Sequence, residues 1–281
     1  MKFHVPKFQL ATMQPPQTTF CSKFGGIPWG LPLEVWSRCR LCGQLMALLA
    51  QLSHEPPAID LGGPEHVLHL FNCQQCYEAN SLMFPVDELG DGLTPLPTDE
   101  PLEGILGENL HGMLAELWID GWEEQDDGLD PSLAVELFDQ KKWMQLPEDV
   151  AIAMFDSPWQ TKMGGVPYWT GNGPMENLRP GYEFLFQLGE VEFHGTPPTP
   201  DEFGGMLVTT ELEGEGVELR IGRQEYQRPD PSRRKLNAPW PIEVVASDKS
   251  KYLVNLLFDG TAYCLINRHA NPADVYWYWI R

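Results

Sequence analysis

The chain has 281 residues, of which 42% are hydrophobic and 11% aromatic, enough for packed cores and too apolar for global disorder. Forty acids against 19 Lys and Arg give a formal charge of −21, which argues against binding a phosphate backbone, where clustered basic residues are needed. Gly and Pro, at 26 each, favour many turns and short strands over a helical bundle.

The first 20 residues, MKFHVPKFQLATMQPPQTTF, lack the continuous apolar core of a signal peptide. No stretch approaches the roughly 20 apolar residues of a membrane span, so no membrane association is expected. Next comes a segment that echoes itself: residues 22–29 read SKFGGIPW and residues 161–169 read TKMGGVPYW. Each precedes an apolar run ending in Gln-Leu, at Leu45–Leu52 and Tyr182–Leu188. The offset is 139 residues for Lys23 and Lys162 and 136 for Gln51 and Gln187, which reads as a duplication. Gly-Gly permits positive φ, and the residue before Pro is forced into an extended conformation. The apolar runs are too short for core helices and read as buried strands.

Further strands are expected at His66–Asn72, Gly205–Leu212, Gly216–Gly222, Tyr252–Phe258, Thr261–Ile266 and Val275–Ile280. Helical spacing occurs at Glu108–Trp118 and Ser132–Met144. Between the halves, Asp87 to Asp156 carries nineteen acids against Lys141 and Lys142, a local charge of −17. Interspersed Leu, Met and Trp make this an ordered acidic face rather than a tail. Arg220 to Lys235 leans basic and reads as an exposed loop.

The cysteines carry the sharpest chemical signal. Cys39-x2-Cys42 and Cys73-x2-Cys76 present four thiolates, the donor set of a closed, structural zinc site. The gap of thirty residues between the pairs is accommodated if two strands and a loop lie between, placing both knuckles at one end of a hairpin. Gly43 follows the first pair, where a tight knuckle gains from positive φ. His66 and His69 fall on opposite strand faces and read as partly buried surface rather than ligands. Cys21 and Cys264 remain unassigned. This cysteine usage suits a reducing compartment, and the protein is expected in the cytoplasm.

Enzyme motifs are missing. There is no HExxH, no H-x-E with P-C-x-x-C, no G-x-S-x-G elbow and no Walker A loop. A calcium loop through Asp126-Asp127-Gly128 would put Ala134 at the position that requires a bidentate Glu. Cys21 lacks a neighbouring base in sequence. No catalytic residue is assigned.

SKFGGIPW with CRLCGQLMALLAQL and HLFNCQQC resembles the eukaryotic programmed-cell-death-protein-two family. The second half, with YLVNLLFDGTAYCLINRHANPADVYWYW, is similar to the bacterial YwqG-like family. The resemblance implies a duplicated, β-rich α+β fold and, in the eukaryotic branch, a chaperone that shields a basic ribosomal protein. For the bacterial branch it suggests immunity roles beside toxin systems. The expectation is therefore an α+β, β-rich fold in two tandem copies of one domain. Residues 1–145 would form the first, with the zinc site and acidic segment, and residues 146–281 the second. The function expected is non-enzymatic: an acidic face holds a basic protein partner, such as a ribosomal protein or toxin. Trp118 and Trp122 serve as anchors, with Glu123, Glu124, Asp126 and Asp127 supplying charge. The alternative is an enzyme whose small-molecule site lies between the repeats, near Lys23 and Lys162.

Overall fold

The computed structural model describes residues 1–10, 20–26, 28–73, 76, 78–91, 117–133, 138–143, 145–150, 160–169, 178–194, 207–212, 216–221, 224–226, 236–238, 242–248, 251–255, 261–271 and 273–280. In chain order the strands are β1 (Lys2–Leu10), β2 (Lys23–Phe24), β3 (Ala47–Ser53), β4 (His66–Asn72), β5 (Ala79–Pro85) and β6 (Leu117–Asp126). The helix α1 (Gln140–Trp143) precedes β7 (Lys162–Gly164), β8 (Glu183–Leu188) and β9 (Glu190–His194). Then follow β10 (Leu207–Leu212), β11 (Gly216–Ile221), β12 (Gln224–Tyr226), β13 (Leu236–Ala238), β14 (Ile242–Asp248), β15 (Lys251–Asn255), β16 (Thr261–Asn267) and β17 (Asp274–Ile280).

One ten-stranded sheet runs β17-β16-β8-β7-β1-β6-β2-β3-β4-β5. Its end strands approach each other, so the sheet is nearly a closed barrel. Side chains bridge the seam: Ser81 Oγ donates to the Val275 carbonyl at 2.7 Å, and Trp277 Nε1 donates to the Asn80 carbonyl at 2.9 Å. A five-stranded sheet, β10-β11-β14-β15-β9, and the β12–β13 pair complete the described strands.

This corrects the expected fold class. The described strands are almost entirely antiparallel, and those of both halves of the chain join edge to edge, through β1 and β7, in one nearly closed sheet instead of forming two tandem α+β copies. The first strand, β1, lies between β6 and β7. Helix occurs among the described residues in short pieces such as α1. The expected helix over Glu108–Trp118 falls outside the described residues up to 116, and its last two residues open β6 instead. Of the expected helix Ser132–Met144, residues 134–137 and 144 are likewise outside, and α1 lies within it.

Strands β3, β4 and β16 are buried along nearly their whole length, because both faces of the sheet are covered there. Inside the barrel, Leu68, Leu70, Phe186, Ala262, Cys264 and Ile266 share one core. On the outside, Leu48 and Phe71 pack under Leu31, Trp36, Leu45 and Met46. A separate outer cluster joins Tyr263 and Leu265 to Phe138, Val166 and Trp169. Each fully buried large apolar side chain in these layers contributes about 1.5–3 kcal/mol.

The echoing residues form two matching hydrogen-bonded devices on this outer face. Gln51 accepts the Trp29 amide at 2.7 Å and donates to the Cys21 carbonyl at 3.0 Å. Gln187 accepts the Tyr168 amide at 2.8 Å and donates to the Gln160 carbonyl at 2.9 Å. In register, Lys23 faces Gln51, which faces His69; Lys162 faces Gln187, which faces Tyr263. All six are fully buried. The turns that follow each Lys hold Gly25 and Gly26 at φ 67° and 71°, and Gly164 and Gly165 at 72° and 70°. A Cβ on Gly165 would sit 2.8 Å from Phe3 Cβ, so that turn needs glycine for space as well as for φ.

Candidate metal centre

Both cysteine pairs sit at one end of the β3–β4 hairpin, one just before β3 and the other just after β4. The end of the ladder pairs Ala47 with Asn72, which fixes their proximity despite the long gap in sequence. Each pair closes its own knuckle in the same way. The Cys39 amide donates to the Gln44 carbonyl at 2.8 Å, and the Cys73 amide donates to the Glu78 carbonyl at 2.8 Å. Gly43, at φ 75°, turns the first knuckle back so that its amide donates to the Cys39 carbonyl at 2.8 Å. In the second, the Cys76 amide points at Cys73 Sγ, 3.3 Å away.

The four sulfurs lie within 4.8 Å of one another, with Cys42 and Cys73 Sγ at 3.7 Å. A tetrahedral ion with bonds near ~2.3 Å needs sulfurs about 3.8 Å apart, so the donor set and spacing fit. Cys39 and Cys73 are buried, Cys42 and Cys76 half-buried. Burial pushes the Cys39 thiol well above the ordinary range. Burial also opposes the Cys42 thiolate, yet the Gln44 amide and the three surrounding cysteines hold that thiol below its ordinary value. Four cysteines that close could hold a metal ion, and four protein ligands leave no position for a substrate.

The packing around the site is tight. Trp36 Nε1 donates to the Met46 carbonyl at 2.8 Å, and its ring lies 6.4 Å from that of Phe71. Asn80 Nδ2 donates to Ser37 Oγ at 2.9 Å, tying β5 to the approach of the first knuckle. Glu78 spans the two knuckles: it accepts the Arg40 amide at 2.6 Å and also the Arg40 Nε–H. Sequence reasoning missed this pair. Its trace in the sequence is an Arg between the first two cysteines and a Glu two residues past the last, opposite charges on two facing hairpins.

His66 lies as expected, and His69 does not. His66 is half-buried with Nδ1 2.9 Å from the Leu61 carbonyl, but His69 is wholly buried because the outer face of β4 is covered. Among the described residues, neither ring nitrogen of His69 has a hydrogen-bond partner. Its ring lies among Phe71 and Phe84, with the Lys23 ammonium as a charged neighbour. Burial, then Lys23, lower its pKa to about 3.

The residues expected to bind a partner lie on or just after β6, but they do not form one surface. Trp118 pairs opposite Lys23 and so shares the outer face. Trp122 and Ile119 instead pack against the barrel core, and Trp122 Nε1 donates to Glu55 Oε2 at 2.8 Å. An irregularity opposite Lys7 and Phe8 accounts for the change of face. Glu123 and Glu124 are exposed, with Lys7 Nζ 3.9 Å and Lys2 Nζ 2.6 Å away respectively. Asp126 is exposed beside the Met1 amine. The Asp127 side chain is only 3% exposed and accepts the Leu129 and Val166 amides at 3.0 Å each. No helix among the described residues is long and apolar enough to cross a membrane.

No protein-family model and no curated protein sequence matches the chain.

Proposed function

We propose that Cys39, Cys42, Cys73 and Cys76 hold a structural zinc ion in a non-enzymatic, cytoplasmic protein that holds a basic protein partner. Its class of role is that of a chaperone or a neutralising immunity factor, as the resemblance to the programmed-cell-death-protein-two and YwqG-like families suggests. The zinc reading is supported by four thiolates with no open coordination position, arranged by two knuckles of the same hydrogen-bonded form. The partner reading rests on charge: the net −21 of the chain is concentrated between Asp87 and Asp156, and β6 displays Glu123 and Glu124 to solvent. Exposed lysine pairs such as Lys2 with Glu124 are worth little in water and yield readily to a partner's cations.

The test is a double reversal, E123K/E124K, in the full chain. Asp127 stays untouched because its carboxylate is part of the fold. The parent should capture a basic protein that can be purified and rebound. Association should slow about tenfold or more in the variant at low salt, with the difference shrinking as salt screens charges beyond about 8–10 Å. Equal association rates at every salt concentration would reject the acidic face. The metal content of both proteins is measured alongside and should remain one zinc per chain.

A further inference from the structure

We propose that Glu78 is a positioning residue that locks the two cysteine knuckles against each other and so sets how slowly the metal leaves. The proposal rests on the zinc reading above. A four-sulfur site built from two separate hairpins opens most easily by letting the hairpins part, because each can stay folded on its own internal hydrogen bonds. In this chain the β3–β4 ladder holds the hairpins together at their base, where Ala47 pairs with Asn72. At the tips, Glu78 makes the connection.

Its two ends do different jobs. The Glu78 carbonyl accepts the Cys73 amide at 2.8 Å and closes the second knuckle. Its carboxylate crosses to the first knuckle, where one oxygen takes the Arg40 amide at 2.6 Å and the other takes the Arg40 Nε–H. Arg40 lies between Cys39 and Cys42, so the carboxylate fixes the backbone that carries both ligands of that knuckle. The Glu78 side chain is only 11% exposed while the Arg40 side chain is 84% exposed. The acceptor is therefore held in place by the fold, and the cation closes over it from the solvent side. Groups that orient metal ligands in this way typically change metal affinity by about 10–100-fold when removed.

The experiment loads the full chain with zinc and follows its transfer to a chromophoric chelator in excess. Parent, E78A, E78Q and R40A are compared, and the cobalt-substituted forms give the absorption spectrum of the four-thiolate site. E78A should release zinc about tenfold faster with an unchanged cobalt spectrum, since the four sulfurs remain. E78Q, which can still accept the Arg40 amide, should fall between parent and E78A. R40A, which keeps its backbone N–H, should do the same and also covers the case in which E78A does not fold. Parental release rates in both E78A and R40A would overturn the clamp while leaving the zinc reading intact. A parent that retains no zinc would overturn both.

Discussion

The outer face of the sheet is covered twice, and the two coverings differ in what fills them. Gln51 holds the Trp29 loop, and beside it Leu48 and Phe71 lie under Trp36, Met46 and the cysteine knuckles. Over Gln187 and Tyr263 lie the Tyr168 loop and a cluster of Phe138, Val166 and Trp169. In the second covering, Trp169 stands 5.0 Å from Phe138 and 4.6 Å from Tyr263, ring centre to ring centre. The glutamine beneath makes the same two hydrogen bonds in both places. A cysteine cluster able to hold a metal ion and an aromatic cluster thus stand in corresponding places, each covering an otherwise exposed sheet face beside a loop. Both coverings bury apolar side chains, and the first, among the described residues, also brings four cysteines together.

The comparison breaks most visibly at the covering elements. C39S should lose the metal and most of the structure around the first glutamine, since the binding energy of a structural zinc, about 10–16 kcal/mol in small peptides, is folding energy. Metal analysis with hydrogen exchange of β3 and β4 amides checks this; an intact, protected hairpin without metal would contradict it. In the other covering, W169A should cost about 3–5 kcal/mol by thermal or denaturant unfolding. It should leave zinc content unchanged.

How much of this was legible in the sequence depends on what each residue signals by itself. The four cysteines and the Lys–Gln echoes were readable because their residue types and spacings have few other uses. The strand His66–Asn72 is legible with the bounds it has, since both its faces are buried and Val67, Leu68, Leu70 and Phe71 pack four apolar residues into five positions. The start of strand β6, Leu117 and Trp118, carries helical spacing in the sequence. Its LWIDGWEEQD sequence is acid-rich, and the irregularity opposite Lys7 breaks the alternation that would have marked a strand. Strand β1 is hidden in the sequence because Pro6 and three basic or His residues disguise a segment that pairs on both sides. The barrel itself was not legible, because the pairing of β1 with β6 and β7 joins residues more than a hundred positions apart.

A subtler difference lies between His69 and Tyr263, which occupy matching positions. The Tyr263 hydroxyl donates to the Tyr168 carbonyl, whereas His69 makes no such bond among the described residues. A histidine held neutral by burial makes the first covering acid-sensitive. Its pKa is about 3 in the fold against about 6.5 unfolded, so the unfolded chain binds the extra proton first. Stability attributable to His69 is therefore complete above pH ~6.5 and is lost as pH falls toward the folded value, at about 1.4 kcal/mol per unit. The difference in unfolding free energy between parent and H69L should change by roughly 3 kcal/mol between pH 7 and pH 4.5. Parallel pH profiles for the two proteins would show that the ring finds a proton acceptor in the folded state.

The smallest effect tests whether the two glutamines are equal. Replacing Gln51 by Leu leaves the Trp29 amide and the Cys21 carbonyl without their partner; replacing Gln187 by Leu does the same to the Tyr168 amide and the Gln160 carbonyl. A buried polar group deprived of its hydrogen bond costs about 1–3 kcal/mol, and Leu fills the glutamine volume well enough that little cavity cost is added. Both variants should therefore lose about 2 kcal/mol in denaturant unfolding. The metal makes them separable. Stripping zinc with a chelator should deepen the loss for Q51L, because its loop then has neither ligation nor hydrogen bond to hold it down. For Q187L the same treatment should add nothing beyond what it does to the parent. If chelation changes the two variants alike, the knuckles do not support the Trp29 loop, and the contrast between a metal-held and a ring-held covering is wrong.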